Sequence, residues 1–403
     1  MKYRSEIDGL RALAIVPVVL FHAGFQGFAG GFVGVDIFFV ISGYLITKIL
    51  MSELEEGRFS FLGFYERRAR RILPALFLVL AVTVPFAYRL LSPSDLVSFA
   101  KSLLGSVVFL ANVVSYQQSG YFDAASEIKP LMHLWSLAIE EQYYLFFPIA
   151  LLFLKKLSKA KVFVVLLVVA CASLVAAQYT LPKNQSLAFF YLHTRAWELL
   201  VGALVSLLVV KPSFVDPARP FLRARQQALA LVGLGLIVFS MMTFDKTTPF
   251  PGANALLPTL GCALVLLFAT AQTWVGRLLS LKPFVQIGLI SYSAYLWHQP
   301  IFAFAKHRMG NELETITLFG LVSLVFILAY LSWKYVEHPF RSKLIIKTRL
   351  FLIVSLLGIL FFVGTGLLGD SQEGFPSRFK YNEKYIGDIG QEPFYAYAKQ
   401  RFF

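Results

Sequence analysis

The 403-residue sequence is 57% hydrophobic and 15% charged, with a mean hydropathy of +0.67, more apolar surface than a soluble domain of this length needs. A net charge of +14 would suit nucleic acid, but Lys and Arg cluster in short loops between apolar runs, where they orient a membrane protein. The two cysteines, Cys171 and Cys262, both lie inside apolar runs and exclude a disulfide framework and a zinc pattern.

Apolar runs of about 17–25 residues, the length a hydrocarbon core demands of a helix, recur along the chain. A backbone in lipid must satisfy its own hydrogen bonds, so these runs are predicted as helices of an all-α polytopic membrane protein. Spanning helices are expected over 8–24, 33–51, 72–91, 134–154, 161–179, 189–210, 228–243, 256–272, 284–305, 313–333 and 348–368, about eleven spans. The first run carries Arg11 and His22 and lacks a small-residue cleavage site, so it reads as a retained helix and not a signal peptide. The stretch 96–114 is interrupted by Lys101, Ser102, Ser106 and Asn112, and reads either as a span or as a segment held within the bundle. The second choice puts Lys2 and Arg4, Arg67 to Arg71, the lysines of 155–161, Lys211 with Arg219, Arg223 and Arg225, Arg277 with Lys282, and Arg341 to Arg349 on one side. That side is the cytoplasm, so the N-terminus is expected inside and the C-terminus outside. The stretch 370–403 is polar and aromatic and reads as an external linker; Gly369-Asp370-Ser371 only superficially resembles an esterase serine motif. No internal repeat is apparent, which speaks against a transporter of duplicated halves.

Ionisable residues inside spans are costly and are usually functional or paired. Arg11 and His22 share one stripe of the first helix with Ile15 and Val18, roughly 16 Å apart along the axis. A phosphate-bearing donor held at Arg11 would extend towards His22; alternatively Arg11 snorkels to the interface and His22 faces a polar loop. Asp36, at a similar depth on the next helix, either orients the His22 imidazole or caps its own helix. Ser42-Gly43 follows further in. Arg67-Arg68-Ala69-Arg70-Arg71 suits a polyphosphate, though by itself it also serves topology and anionic-lipid contact. His133, Ser136 and Glu140 share a helix face with Glu141 beside it, and Arg195 and Glu198 form a further candidate pair at i, i+3. Structural ion pairing within the bundle accounts for these charges equally well. Ser291 to His298 is too polar and aromatic to face lipid on every side and reads as a cavity wall.

Asp8-Gly9-Leu10-Arg11-Ala12-Leu13-Ala14-Ile15 with His22 resembles the signature of the membrane acyltransferase-3 family. Phe32 to Tyr44, Arg67 to Arg71, His133 to Gln142, Tyr292 to His298 and Glu337 to Arg341 are similar to further blocks of that family, in order, over essentially residues 1–345. The resemblance implies transfer of an acyl group, often acetyl from acetyl-CoA, to sugars of lipopolysaccharide, peptidoglycan, exopolysaccharide or a lipid-linked glycoside. His22 matches the family's essential histidine and Arg11 its essential arginine. Some members carry ten core helices, then an extra helix leading to an external SGNH domain. Three regions follow: a membrane domain over 1–345, an extra helix over 346–369, and an extracytoplasmic linker over 370–403.

On that resemblance, acyl-CoA enters from the cytoplasm with its phosphates on Arg11, Arg70 and Arg71. His22 acts as general base or transient acyl acceptor, with Asp36 orienting or charge-balancing it. Ser42, Glu141, Arg195, Ser293 and Tyr295 line the pocket. No metal and no tightly bound cofactor is expected, since a thioester is already activated. The expected partners are membrane lipid, acyl-CoA, a cell-envelope glycan such as lipopolysaccharide O-antigen, and an SGNH domain in cis or in trans. The expected location is the bacterial inner membrane. The competing reading is a transporter of a lipid-linked sugar or a proton-coupled carrier, for which Glu140, Glu141, Arg195 and His22 would form a relay.

Overall fold

The computed structural model describes residues 3–119, 126–209, 220–310 and 313–378, and among these every regular element is helical. The chain winds through α1 (Ser5–Ala23), α2 (Gly34–Glu55), α3 (Phe61–Leu90), α4 (Pro93–Val107), α5 (Ala111–Gln117), α6 (Leu134–Leu154), α7 (Lys159–Thr180), α8 (Gln185–Phe190) and α9 (Leu192–Val209). It continues through α10 (Pro220–Thr243), α11 (Leu256–Phe268), α12 (Trp274–Leu279), α13 (Lys282–Leu289), α14 (Ser291–Met309), α15 (Thr315–Ser332), α16 (His338–Arg341) and α17 (Thr348–Ser371). Several starts are set by short polar side chains that accept from otherwise unpaired backbone N–H groups: Ser60 from Gly63, Ser92 from Asp95, Ser158 from Lys161 and Thr273 from Gly276.

Seven helical stretches of the described residues are long and apolar enough to cross a membrane: Gln26–Glu55, Phe61–Leu90, Leu134–Leu154, Lys159–Thr180, Arg223–Thr243, Thr315–Arg341 and Thr348–Ser371. The chain is thus a multi-pass membrane protein, with departures from the eleven expected ranges. α1 holds Glu6, Asp8 and Arg11 in its first half and buries twelve of its residues against other helices, so it is an interior helix. The range 256–272 shortens to α11, thirteen residues and about 20 Å, because Thr273 caps a new helix. The range 284–305 divides at Ile290 into α13 and α14.

The stretch 96–114 is two short helices, α4 and α5, separated by a bend at Val108–Leu110 with Phe109 at φ 56°. Its polar residues are bonded inside the bundle: Ser102 donates to Gln118, Asn112 donates to the Phe190 carbonyl, and Gln142 donates to Asn112. Neither helix is long enough to span a hydrocarbon core of about 30 Å. Lys211 and Arg219, and 379–403 of the expected linker, lie outside the described residues.

Two cores hold the bundle. One gathers residues of α2, α6, α7, α9, α10 and α11, the other residues of α3, α4, α14 and α15. α1 belongs to both, with Leu10, Ala14 and Val18 facing the first and Ile15, Val19 and Ala23 the second. α2 and α9 touch backbone to backbone, because a Cβ on Gly43 would meet the Leu199 carbonyl oxygen at 1.8 Å and one on Gly202 the Val40 oxygen at 2.0 Å. Such close approach is how helices associate where lipid removes the hydrophobic drive.

α17 is fastened to this body at both ends. Near its start, Glu66 accepts from Lys343 at 2.7 Å, Thr348 at 2.8 Å and Arg70 at 2.9 Å. Beyond its end, Arg378 donates to the Leu91 carbonyl and lies over the Tyr88 ring.

Candidate active site

Five helices, α1, α2, α3, α6 and α14, leave between them a cavity with about 810 Å³ of empty space. At one end stand Arg11, Arg68 and Arg71, with Arg11 and Arg68 each within electrostatic reach of Arg71. Arg11 keeps an ion pair with Asp8 at 3.1 Å. Neither Arg68 nor Arg71 has a carboxylate within ion-pair distance among the described residues, and the buried Nε of Arg68 makes no hydrogen bond. Three guanidinium groups therefore face one lining carboxylate, Glu140, in surroundings of low dielectric. Uncompensated positive charge there draws an anion, and guanidinium forks match phosphate oxygens.

The middle of the cavity is polar on one side. Ser42 donates to Glu140 at 2.9 Å, and Tyr144 lies one turn along α6. Ser136 and Tyr295 share a hydrogen bond of 2.6 Å, and Tyr295 also donates to the His133 carbonyl at 2.8 Å. Beyond Tyr295 come three imidazoles. The Tyr295 ring lies 5.3 Å from His133 and 5.2 Å from His298, and His298 lies 4.8 Å from His22. His22 is thus not part of the cavity wall but stands one ring behind it. Its Nδ1 sits 2.8 Å from the Val18 carbonyl oxygen. An oxygen that can only accept fixes the hydrogen on Nδ1 and leaves the Nε2 lone pair as the base.

At the histidine end the segment before α6 is strapped down. Glu127 pairs with Lys246 and, at 2.9 Å, with Lys306; Gln299 donates to the backbone carbonyls of Glu127 and Lys129. Burial opposes the charged form of Glu127, but the hydrogen bonds from Lys246 and Lys306 outweigh it and hold its carboxyl at about 2.

Several expected site residues lie elsewhere. Asp36 does not meet His22; it pairs with Arg195 at 2.8 Å, and Arg195 with Glu198 at 3.2 Å, all buried, with four aromatic rings around the guanidinium. A buried carboxylate takes the cation within reach, and depth along the membrane does not reveal which helix face it occupies. Arg195 is consequently not a wall of the cavity. Arg70 points away from it, bonded to Glu66 and the Phe340 carbonyl and stacked on Phe351. Ser293 donates to the buried Glu337 instead of facing the cavity. Glu141 lies off the wall that its neighbour Glu140 lines, and its buried Oε1 makes no hydrogen bond.

Arg11, Arg71, Ser42 and Tyr295 stand on the cavity as expected. Arg68, Glu140, Tyr144 and Tyr292 were missed. Helical spacing carried the signal: Arg68 and Arg71 are three apart on one face with Arg70 turned off it, and Ser136, Glu140 and Tyr144 recur every four.

Residues 4–334 match the Acyl_transf_3 family model, described as an acyltransferase domain. The chain is similar to the peptidoglycan O-acetyltransferase OatA of Listeria monocytogenes, 33% identical over 355 residues that cover 85% of this chain and 56% of that protein. It is also similar to the O-acetyltransferase OatA of Staphylococcus aureus strain NCTC 8325, 28% identical over 349 residues, 85% of this chain and 58% of the relative. The chain spans under three-fifths of the length of these curated relatives. No solved structure matches it.

Proposed function

Because the chain belongs to the Acyl_transf_3 family of acyltransferases, we propose that it moves an acyl group, acetyl foremost, from acyl-CoA to a hydroxyl of a cell-envelope glycan. One observation carries the reading: a single cavity begins at three arginines and ends beside a histidine cluster. The phosphates of the donor rest on Arg11, Arg68 and Arg71, its arm passes Ser42 and Glu140, and its thioester reaches the Tyr295 end, about 16 Å along α1. An acceptor hydroxyl enters from the opposite side, gives its proton to His22 Nε2 and attacks the thioester carbonyl. The C–S bond breaks, and the thiolate leaves with the electron pair and takes up the proton as CoA.

The Val18 carbonyl, and not Asp36, orients the base in this scheme. The relative in Listeria is named for peptidoglycan, so peptidoglycan fragments join lipopolysaccharide O-antigen as acceptors to try. In this reading the protein sits in the inner membrane with the N-terminus and the arginine end inside. An SGNH domain, in cis or in trans, completes delivery on the outer side. The detergent-purified chain, given acetyl-CoA, should release CoA, and His22→Ala should reduce release to background. Full release by that variant would remove His22 from the chemistry. A folded wild-type protein that releases none with any of these acceptors would favour the carrier reading.

A further inference from the structure

A buried base that takes a proton needs a group to share the charge, and His22 has no carboxylate for it. Asp36 is committed to Arg195, and Glu127, at the rim, to Lys246 and Lys306. What touches His22 is another imidazole. The His298 ring meets it edge-on, centroids 4.8 Å apart and planes at 65°, and His298 is fully buried. His298 Nδ1 lies 2.5 Å from the Tyr295 carbonyl oxygen, so Nδ1 bears the hydrogen and Nε2 keeps its lone pair. That Nε2 is buried and accepts nothing from the protein. A buried acceptor left empty costs about 1–3 kcal/mol, which a structural histidine would have no reason to bear. The third ring, His133, stands 5.1 Å from His298.

The other titratable groups facing the cluster are Tyr295, already bonded to Ser136 and the His133 carbonyl, and the rim charges Glu127, Lys246 and Lys306. α15, packed on α14, brings only the exposed Tyr330. Among the described residues no three ligating side chains are arranged to hold a metal ion, so the rings are read as proton carriers.

Resting on the acyl-transfer reading, we propose that His298 is the positioning partner of His22, taking the place a carboxylate holds in other catalytic triads. When His22 Nε2 takes the acceptor's proton, that N–H donates to His298 Nε2, and the two rings share one positive charge. The proton then passes to the thiolate sulfur, and both imidazoles end neutral.

The test uses the full chain in detergent with acetyl-CoA and an acceptor for which CoA release depends on His22. His298→Gln should lower kcat about 100-fold, with the KM for acetyl-CoA and the melting temperature unchanged. His298→Ala should be similarly slow and regain rate on addition of imidazole, which an unfolded protein would not do. Wild-type kcat in His298→Gln, a loss confined to KM, or an alanine variant that imidazole leaves slow would overturn the partner role while His22-dependent release stands. Absence of His22-dependent release in the wild type would instead overturn the acyl-transfer reading beneath it.

Discussion

Side-chain direction separates two arginines one position apart. Arg71 faces the cavity with Arg68, whereas Arg70 is spent on Glu66, the Phe340 carbonyl and the Phe351 ring. A charge-assisted hydrogen bond contributes about 1.5–3 kcal/mol, so Arg68→Ala or Arg71→Ala should raise the KM for acetyl-CoA by roughly 10- to 100-fold. Arg70→Ala should leave that KM nearly unchanged and lower the melting temperature, since a buried ion pair loses about 3 kcal/mol or more when one partner goes. Steady-state CoA release and thermal melts on the three variants check this; the reverse pattern would return the donor site to Arg70. The stripe joining Arg11 and His22 was legible because both lie on one helix, where spacing fixes direction. The pairing of Asp36 was not, because Arg195 stands 159 residues away and only packing brings it near.

Whole elements show the same division between local and distant causes. The spans of α2, α3, α6, α7 and α17 were readable from length and apolarity. The break between α4 and α5 was not, since the residue in the left-handed region is Phe109 and no glycine or proline marks the bend. The strap before α6 makes its own prediction. The carboxyl of Glu127 is held at about 2, below the ordinary 4.5, so it contributes stability that is fully present above 4.5 and lost as pH falls towards 2. Because the group is nearly half exposed, the contribution is a surface one, under about 1 kcal/mol. Glu127→Gln should therefore melt slightly lower than wild type at pH 7, and the gap should close between pH 4.5 and 2. A gap independent of pH would mean that the carboxylate charge does not hold the strap.

At the scale of the molecule, α17 behaves as part of the body. It buries Phe351 and Phe362, and its neighbours Lys343, Thr348 and Arg378 tie it to α3 and to the turn after it. A chain ending at residue 345 should melt several degrees below the full one, because Glu66 loses Thr348 and Arg70 loses its stacking ring. Unchanged melting would make α17 a passive tether. The placement of α1 has a mechanical consequence. Carriers built from two lobes expose their cargo to each side in turn by rocking one lobe against the other along a plane of weak contact. Here the central helix is wall to both lobes, so any such plane would have to pass through Leu10 and Ile15 together, splitting two packed interiors at once. The bundle is a frame and not a hinge. Whatever crosses its middle has to be long enough to thread the gap with its own length, and that favours a slender, extended molecule with its charge at one end and its reactive group at the other.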